Sequence, residues 1–438
     1  MTDPDLKADA TPFRLIVAGC GPHFRQIYLQ VLAQHRESVR VVLVVELQSQ
    51  EQAVRAAMAA AGATPDMFLF LPDEWRGRIP QAELAKHLDS AILGHEADAV
   101  LICTEPRAHR AFAEWATTRR LDIFMDKPIS AFSNIAGQSD LAADFSALRT
   151  MQRRAGSRFV VSCERRQHFG YRYIFDFIRD FMKRDGSSIT SVNVHFGAGK
   201  SLTEDEYLAI ENHPFKYGFG VLLHSGYHYI DLIARLATLN GSGESEPCEP
   251  EVASFFRRQV SRPSIVSYPS CLEVIAGDRG EVDVVAAGIY PGHRGARLTF
   301  GLQLLGNTVS AREAHSSLGA SPPPGRLRQE YVAIHLGNSC SITVNSDGFG
   351  KLDDDTDDRG FRVTIALGKA SIDGAKVLTV DQTRLSSMIP ECPHEGSLNQ
   401  HARASMFRKF LVGEDCDSSL ESHHNTVVLL QKIYDNAR

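Results

Sequence analysis

The chain reads as an α/β protein of two parts: an N-terminal doubly wound parallel sheet, and a C-terminal α+β domain built on a large, mostly antiparallel sheet. Three observations predict this. Short β-branched runs alternate with helix-period segments up to Cys163, strand-like runs then follow one another with few helices between them, and 438 residues exceed what one ordinary core supports. Domain sizes of about 100–200 residues predict two to three domains, two being the simplest division.

The parallel runs are Leu15 to Ala18, Val41 to Val45, Met67 to Leu71, Ala99 to Cys103, Asp122 to Met125 and Phe159 to Cys163. Between them, Leu84, Leu88, Ala91 and Ile92, and again Ala108, Phe112, Trp115 and Ala116, each mark one helical face at i, i+4, i+7, i+8. Strands joined by such helices pair in parallel and are covered on both faces. After a helical stretch near Tyr173 to Met182 come the strand-like runs Ile189–Phe196, Val252–Val260, Val282–Ile289, Arg297–Leu305, Gln329–Leu336 and Phe361–Leu367. Gly241–Glu251 and Ser321–Gly325 read as loops, and helices around Ala404–Leu411 and Thr426–Asp435 close the chain.

Composition excludes several classes. Apolar residues at 43% and charged residues at 23% are globular values, so disorder is not expected. A net charge of −6 leaves no cation surplus for a phosphate backbone, and no apolar run approaches the ~20 residues of a bilayer span. The polar, acidic stretch from Met1 to Pro12 is unlike a signal peptide, so a cytoplasmic protein with neither nucleic-acid nor membrane partners is expected. The eight cysteines form no Cys-x-x-Cys pair, which predicts reduced, mostly buried thiols. The run Asp353–Asp358 lacks the glycine and distal glutamate of a calcium loop and reads as solvated.

Chemistry-bearing residues cluster where predicted parallel strands end, the place where ligands bind in open α/β sheets. The first strand enters Gly19-Cys20-Gly21-Pro22-His23-Phe24. Gly19 suits a tight turn, Gly21 a close approach to a pyrophosphate, and Pro22 the first helical position, whose N–H has no intrahelical partner. Phe24 stands where the third glycine of the dinucleotide fingerprint would be. Glu46, 27 residues after Gly19, ends the second strand, where a carboxylate accepts both ribose hydroxyls and repels a 2′-phosphate. That favours NAD over NADP, while a plain Gly-x-Gly turn and an exposed strand-end acid are the competing readings.

The fourth strand ends in Thr104-Glu105-Pro106-Arg107-Ala108-His109 and the fifth in Asp126-Lys127-Pro128. Lys127 is placed to donate to a substrate oxygen and to stabilise alkoxide character there, or else it is an ion-paired lysine on a surface turn. Further on, His224-Ser225-Gly226-Tyr227-His228 lies on a predicted helix, with the two imidazoles four apart on one face and Gly226 admitting a bound ring. A catalytic pair, a zinc pair and two core histidines are the readings. Zinc lacks a third ligand, and Ser225 stands where glutamate would follow the first histidine, so no metal is expected.

In this order and spacing the motifs resemble the Gfo/Idh/MocA oxidoreductases, the glucose-fructose oxidoreductase and inositol dehydrogenase group, from about Phe13 to Leu236. The resemblance rests on the glycine turn, Thr104-Glu105-Pro106 with His109, Asp126-Lys127-Pro128, and His224-Ser225-Gly226-Tyr227-His228-Tyr229-Ile230-Asp231. It implies a Rossmann dinucleotide-binding domain over residues 12–165, and a substrate-binding and oligomerisation domain over 166–438 whose open sheet carries a homo-oligomer interface. It further implies that Lys127 is the catalytic lysine, with a cis bond to Pro128, and that His228 is the active-site histidine. The stretch Arg165-Arg166-Gln167 would lie beside cofactor and substrate.

Two departures stand out: Asp126 replaces the usual Glu, and His224 replaces the Asp that assists the histidine. A cationic His224 would depress the pKa of His228 where an Asp raises it. The expected function is hydride transfer between NAD and a carbinol or carbonyl carbon of a sugar, cyclitol or similar polar metabolite. Lys127 would polarise the oxygen, His228 exchange the proton, and His224 orient the substrate or relay that proton. Cofactor contacts are expected from Gly19, Gly21, Pro22, His23, Phe24, Glu46, Thr104, Glu105, Pro106, His109, Asp126, Lys127 and Arg166. The alternatives are an NAD-binding regulatory protein without redox chemistry, and a redox-neutral elimination assisted by permanently bound NAD.

Overall fold

A computed structural model of the chain describes residues 11–76, 79–131, 140–197, 200–202, 220–241, 250–257, 283–291, 297–305, 310–311, 325–351, 360–368 and 376–436. The loop at 321–324, the Asp353–Asp358 run and most of the loop following Gly241 lie outside these residues. The chain divides into two units, residues 1–167 with 403–424, and residues 168–402 with 425–438.

Unit 1 carries a six-stranded parallel sheet in the order β3-β2-β1-β4-β5-β6. Its strands are β1 (Phe13–Ala18), β2 (Val39–Leu47), β3 (Met67–Leu71), β4 (Ala99–Ile102), β5 (Asp122–Asp126) and β6 (Phe159–Ser162). Strand order reverses between β1 and β4, which makes the β1 end a topological switch point. The strands are joined by α1 (Leu29–Gln34), α2 (Glu51–Ala60), α3 (Gln81–Ala91), α4 (Pro106–Thr118) and α5 (Leu141–Ala155). The apolar stripes read from the sequence face inward: Leu84 and Leu88 of α3, and Phe112 and Trp115 of α4, are all buried.

The sheet core is completed by residues from far along the chain. Met406, Phe407, Phe410 and Leu411 join the cluster formed by Leu15, Val17, Phe24, Tyr28 and Phe124. Phe407 meets Tyr28 edge-on at 5.2 Å and Phe124 at 5.1 Å, and Phe124 meets Phe410 at 5.4 Å. The aromatic side chains of segment 403–424 bury against β1 and β5, and the segment groups with unit 1. Periodicity marks such a segment as a helix but carries no information about which core receives it.

Unit 2 carries a ten-stranded sheet whose main path is β16-β15-β14-β13-β7-β11-β10-β9. Its strands include β7 (Ile189–Gly197), β8 (Lys200–Leu202), β9 (Glu251–Arg257), β10 (Asp283–Pro291), β11 (Arg297–Leu305) and β12 (Ser310–Ala311). They continue with β13 (Gly325–Leu336), β14 (Cys340–Lys351), β15 (Arg362–Leu367) and β16 (Val377–Asp381). Pairing is antiparallel along the main path except where β11 lies parallel to β7. Four strands, β8, β12, β14 and β16, have no counterpart among the sequence-predicted runs. Ile342 and Val344 alternate with Ser, Thr and Asn in β14, and those polar residues at outward positions dilute its apolar signal. Its helices are α6 (Phe169–Asp185), α7 (Tyr227–Leu239) and α8 (Gln382–Met388). The chain closes with α9 (Leu398–Leu411) and α10 (His424–Asp435).

Candidate functional site

The turn after β1 is built around a close approach. Gly19 has φ +89°, and a Cβ there would lie 2.6 Å from the carbonyl carbon of Cys103 and from the amide nitrogen of Thr104, so only glycine fits between the ends of β1 and β4. Pro22 is the first helical residue. The helix then opens into a π turn over Phe24–Tyr28 before α1 begins, and Phe24, in place of a third glycine, is taken fully into the core. Arg25 closes the turn by donating to the Cys20 carbonyl at 3.0 Å.

Glu46 lies at the end of β2, beside that turn. One carboxylate oxygen accepts the Cys20 N–H at 2.6 Å, and the other accepts the Leu47 N–H at 2.8 Å. A carboxylate has about four lone-pair directions, so each oxygen keeps acceptor capacity after these bonds. The glycine turn, the helix start and a strand-end acid thus sit together and fit an adenosine diphosphate moiety without a 2′-phosphate.

At the β5 end the Lys127–Pro128 bond is cis, as the family resemblance implies. Asp126 accepts from the Tyr28 hydroxyl at 2.7 Å and lies 3.3 Å from His23 Nε2. Burial by itself would push this carboxyl up, but the charge and hydrogen bond of His23, with the Tyr28 hydroxyl, hold it down at about 2. Tyr28 also shares a hydrogen bond of 2.9 Å with Ser162 at the end of β6, so one phenol ties two adjacent strand ends together. His23, read from the sequence as a cofactor contact, meets Asp126, and His109 is wholly internal. The His109 ring bridges the Pro128 carbonyl at 2.7 Å and the Thr104 carbonyl at 3.0 Å, linking the β4 and β5 turns, and burial lowers its pKa. Thr104 turns its hydroxyl to the Glu105 carbonyl, and Pro106 opens α4.

Lys127 is depressed below the ordinary lysine pKa, mainly by burial, with the charge of Glu164 opposing the shift and that of Arg403 adding to it. An ammonium held in this way is a stronger hydrogen-bond donor and acid than one in water. Glu164 and Arg403 are functional candidates that sequence reasoning missed. Glu164 adjoins a stretch the resemblance did mark, whereas nothing near Arg403 in the chain signals its role. Arg166, expected beside the cofactor, is 2% exposed, and its guanidinium donates to the Asp417 carbonyl at 2.9 Å and to Ser422. Gln167 likewise donates to the Cys416 carbonyl at 2.8 Å, and both side chains fasten segment 403–424.

In unit 2, His228 lies in the first turn of α7 and is 4% exposed, whereas His224 lies in a preceding π turn (Leu222–Gly226), is half-buried and hydrogen-bonds Ser225 at 3.0 Å. Asp231, one turn after His228, is buried and accepts from Thr426 at 2.8 Å. Gly226 serves packing: a Cβ there would lie 2.6 Å from Leu304 Cδ1 of β11, so its smallness lets the helix settle on the sheet and does not by itself make room for a ring. Among the described residues no group of three His, Cys, Asp or Glu is set to hold a metal, and no helix is long and apolar enough to cross a membrane. The six described cysteines form no disulfide, and all but Cys103 are buried.

No curated protein sequence matches the chain. Solved structures do match over nearly its whole length. The WlbA dehydrogenase from Bordetella pertussis, solved with NADH and UDP-GlcNAcA, is 15% identical with a TM-score of 0.59 and covers 97% of this chain and 95% of its own. An oxidoreductase from Agrobacterium radiobacter, solved with NAD+, L-tartaric acid and magnesium, is 13% identical with a TM-score of 0.58, covering 97% and 96%. A levoglucosan dehydrogenase, solved with NADH and levoglucosan, is 13% identical with a TM-score of 0.59, covering 97% of each chain. At such identities these likenesses speak for the fold. Residues 13–153 match the model of the GFO_IDH_MocA oxidoreductase family, described as having an NAD-binding Rossmann fold.

Proposed function

We propose that the protein is an NAD-dependent dehydrogenase that moves a hydride between nicotinamide and a carbinol or carbonyl carbon of a sugar, cyclitol or similar polar metabolite. The observation that carries this reading is Lys127: a partly buried lysine of lowered pKa at a strand end of the NAD-binding domain, next to an Asp126 already engaged by Tyr28 and His23. NAD supplies the hydride acceptor when bound. The chain's residues do the rest. Glu46 accepts from the adenosine ribose, Lys127 donates to the substrate oxygen and stabilises negative charge developing on it, and His228 takes up the hydroxyl proton. His224 orients the substrate or relays that proton. The relatives solved with sugar ligands and NADH support a polyhydroxylated substrate.

The test is NADH formation by the purified full chain over a panel of sugars, sugar acids and cyclitols, comparing wild type with Lys127→Ala. Loss of a positioned acid–base group lowers turnover by about 10²–10⁴-fold. Undiminished turnover in the variant would remove Lys127 from the mechanism, and NADH binding without turnover of any panel member would favour a regulatory protein.

A further inference from the structure

A buried carboxylate, Glu164, acts on the Lys127 amine. Strands β5 and β6 are neighbours in the sheet with Asp126 paired to Ser162, so Lys127 and Glu164 leave adjacent strand ends close together. Glu164 is 2% exposed and lies 3.5 Å from Arg165 Nη1 and 3.3 Å from Arg403 Nη2. Arg403 begins the segment that returns from the far end of the chain to unit 1, and its side chain is 13% exposed. Charges so far from water act on one another with little screening, and a buried carboxylate stays ionised only with cations around it.

We propose that Glu164 and Arg403 are a positioning pair for Lys127. Glu164 anchors the ammonium in its donating form, and Arg403, by occupying the same carboxylate, limits that anchoring so that the amine can still release its proton. The proposal rests on the reading of Lys127 as the catalytic lysine. It draws on the signs of the charges around that amine: Glu164 and Asp126 favour the ammonium, while burial and Arg403 oppose it. Cys163 and His109 also face it, and His109 adds a repulsion when protonated. Asp126 is committed to Tyr28 and His23, which leaves Glu164 as the principal opposing charge.

The two members therefore act in opposite directions, and a purely structural pair would not. The experiment is competitive acetylation of the full chain with trace acetic anhydride across pH, read at Lys127 by peptide mass spectrometry, which follows the free amine without any substrate. Glu164→Gln is expected to move the reactivity midpoint down by about one pH unit or more, and Arg403→Gln to move it up. Arg403→Lys keeps the charge and is expected to retain the wild-type midpoint. If Glu164→Gln does not fold, the contrast between Arg403→Gln and Arg403→Lys decides alone. Midpoints that stay put, or that move the same way in both Gln variants, would overturn the pairing. Because the readout is the amine itself, such a result leaves the catalytic reading standing, and an active Lys127→Ala would remove that reading whatever the labelling shows.

Discussion

Two ends of the same parallel sheet are built on different principles. At the β2 end, Glu46 is held by backbone amides of the neighbouring turn and of the next residue. At the β5 and β6 ends, Asp126, Lys127 and Glu164 are set by side chains brought from elsewhere: Tyr28 and His23 from the first helical turns, and Arg403 from the C-terminal segment. The first end needs only a short stretch of chain to form. The second exists only when the distant segment has docked.

The sharpest way to break this contrast is to empty the core under the second end. Phe407→Ala removes an aromatic ring from between Tyr28 and Phe124 and is expected to cost about 3–5 kcal/mol. Both tryptophans, Trp75 and Trp115, lie in unit 1, so urea denaturation followed by tryptophan fluorescence reports this loss directly. An unchanged midpoint would mean that the segment contributes nothing to unit 1. At the other end Gly19→Ala forces a side chain into the left-handed region against the Cys103 backbone, at a cost of about 1–3 kcal/mol from conformation alone. Calorimetric titration with NADH is expected to show binding abolished, and retained affinity would refute the close approach as a requirement.

Protonation separates the two ends further. Asp126 in the folded chain titrates at about 2, below the ordinary aspartate value, so its contribution to stability is complete above about pH 4 and fades as the pH falls toward 2. The contribution is about 2 kcal/mol. Asp126→Asn is expected to destabilise the protein near neutral pH and to flatten this acid limb in thermal melts, whereas an unaltered limb would deny the His23–Asp126–Tyr28 linkage. The mildest effect belongs to Glu46. Glu46→Ala is expected to weaken NADH binding by about 30-fold, the loss of one charge-assisted hydrogen bond, and to narrow the preference for NADH over NADPH.

The same contrast explains what was legible in the sequence. The parallel strands announce themselves as short apolar runs, largely buried in all but the edge strand β3, and Gly19, Glu46 and Lys127 stand at fixed offsets from strand ends. A side chain's partner across hundreds of residues leaves no such trace. Arg166, read as a cofactor contact, also holds Asp417 and Ser422, and Gly226, read as admitting a ring, packs against Leu304. Spacing reports what a residue stands next to along the chain, and tertiary packing decides what it touches. Glu164 and Arg403 lie beyond spacing altogether, because their importance is their meeting.

Hydride transfer itself can be followed atom by atom. Members of the carbohydrate panel carrying deuterium on the reacting carbinol carbon should deliver it to C4 of the nicotinamide, detected by mass spectrometry of the recovered NADH, with the wild-type chain and not with Lys127→Ala. If NADH binds but no panel member delivers deuterium to C4 with the wild-type chain, the dehydrogenase account is contradicted.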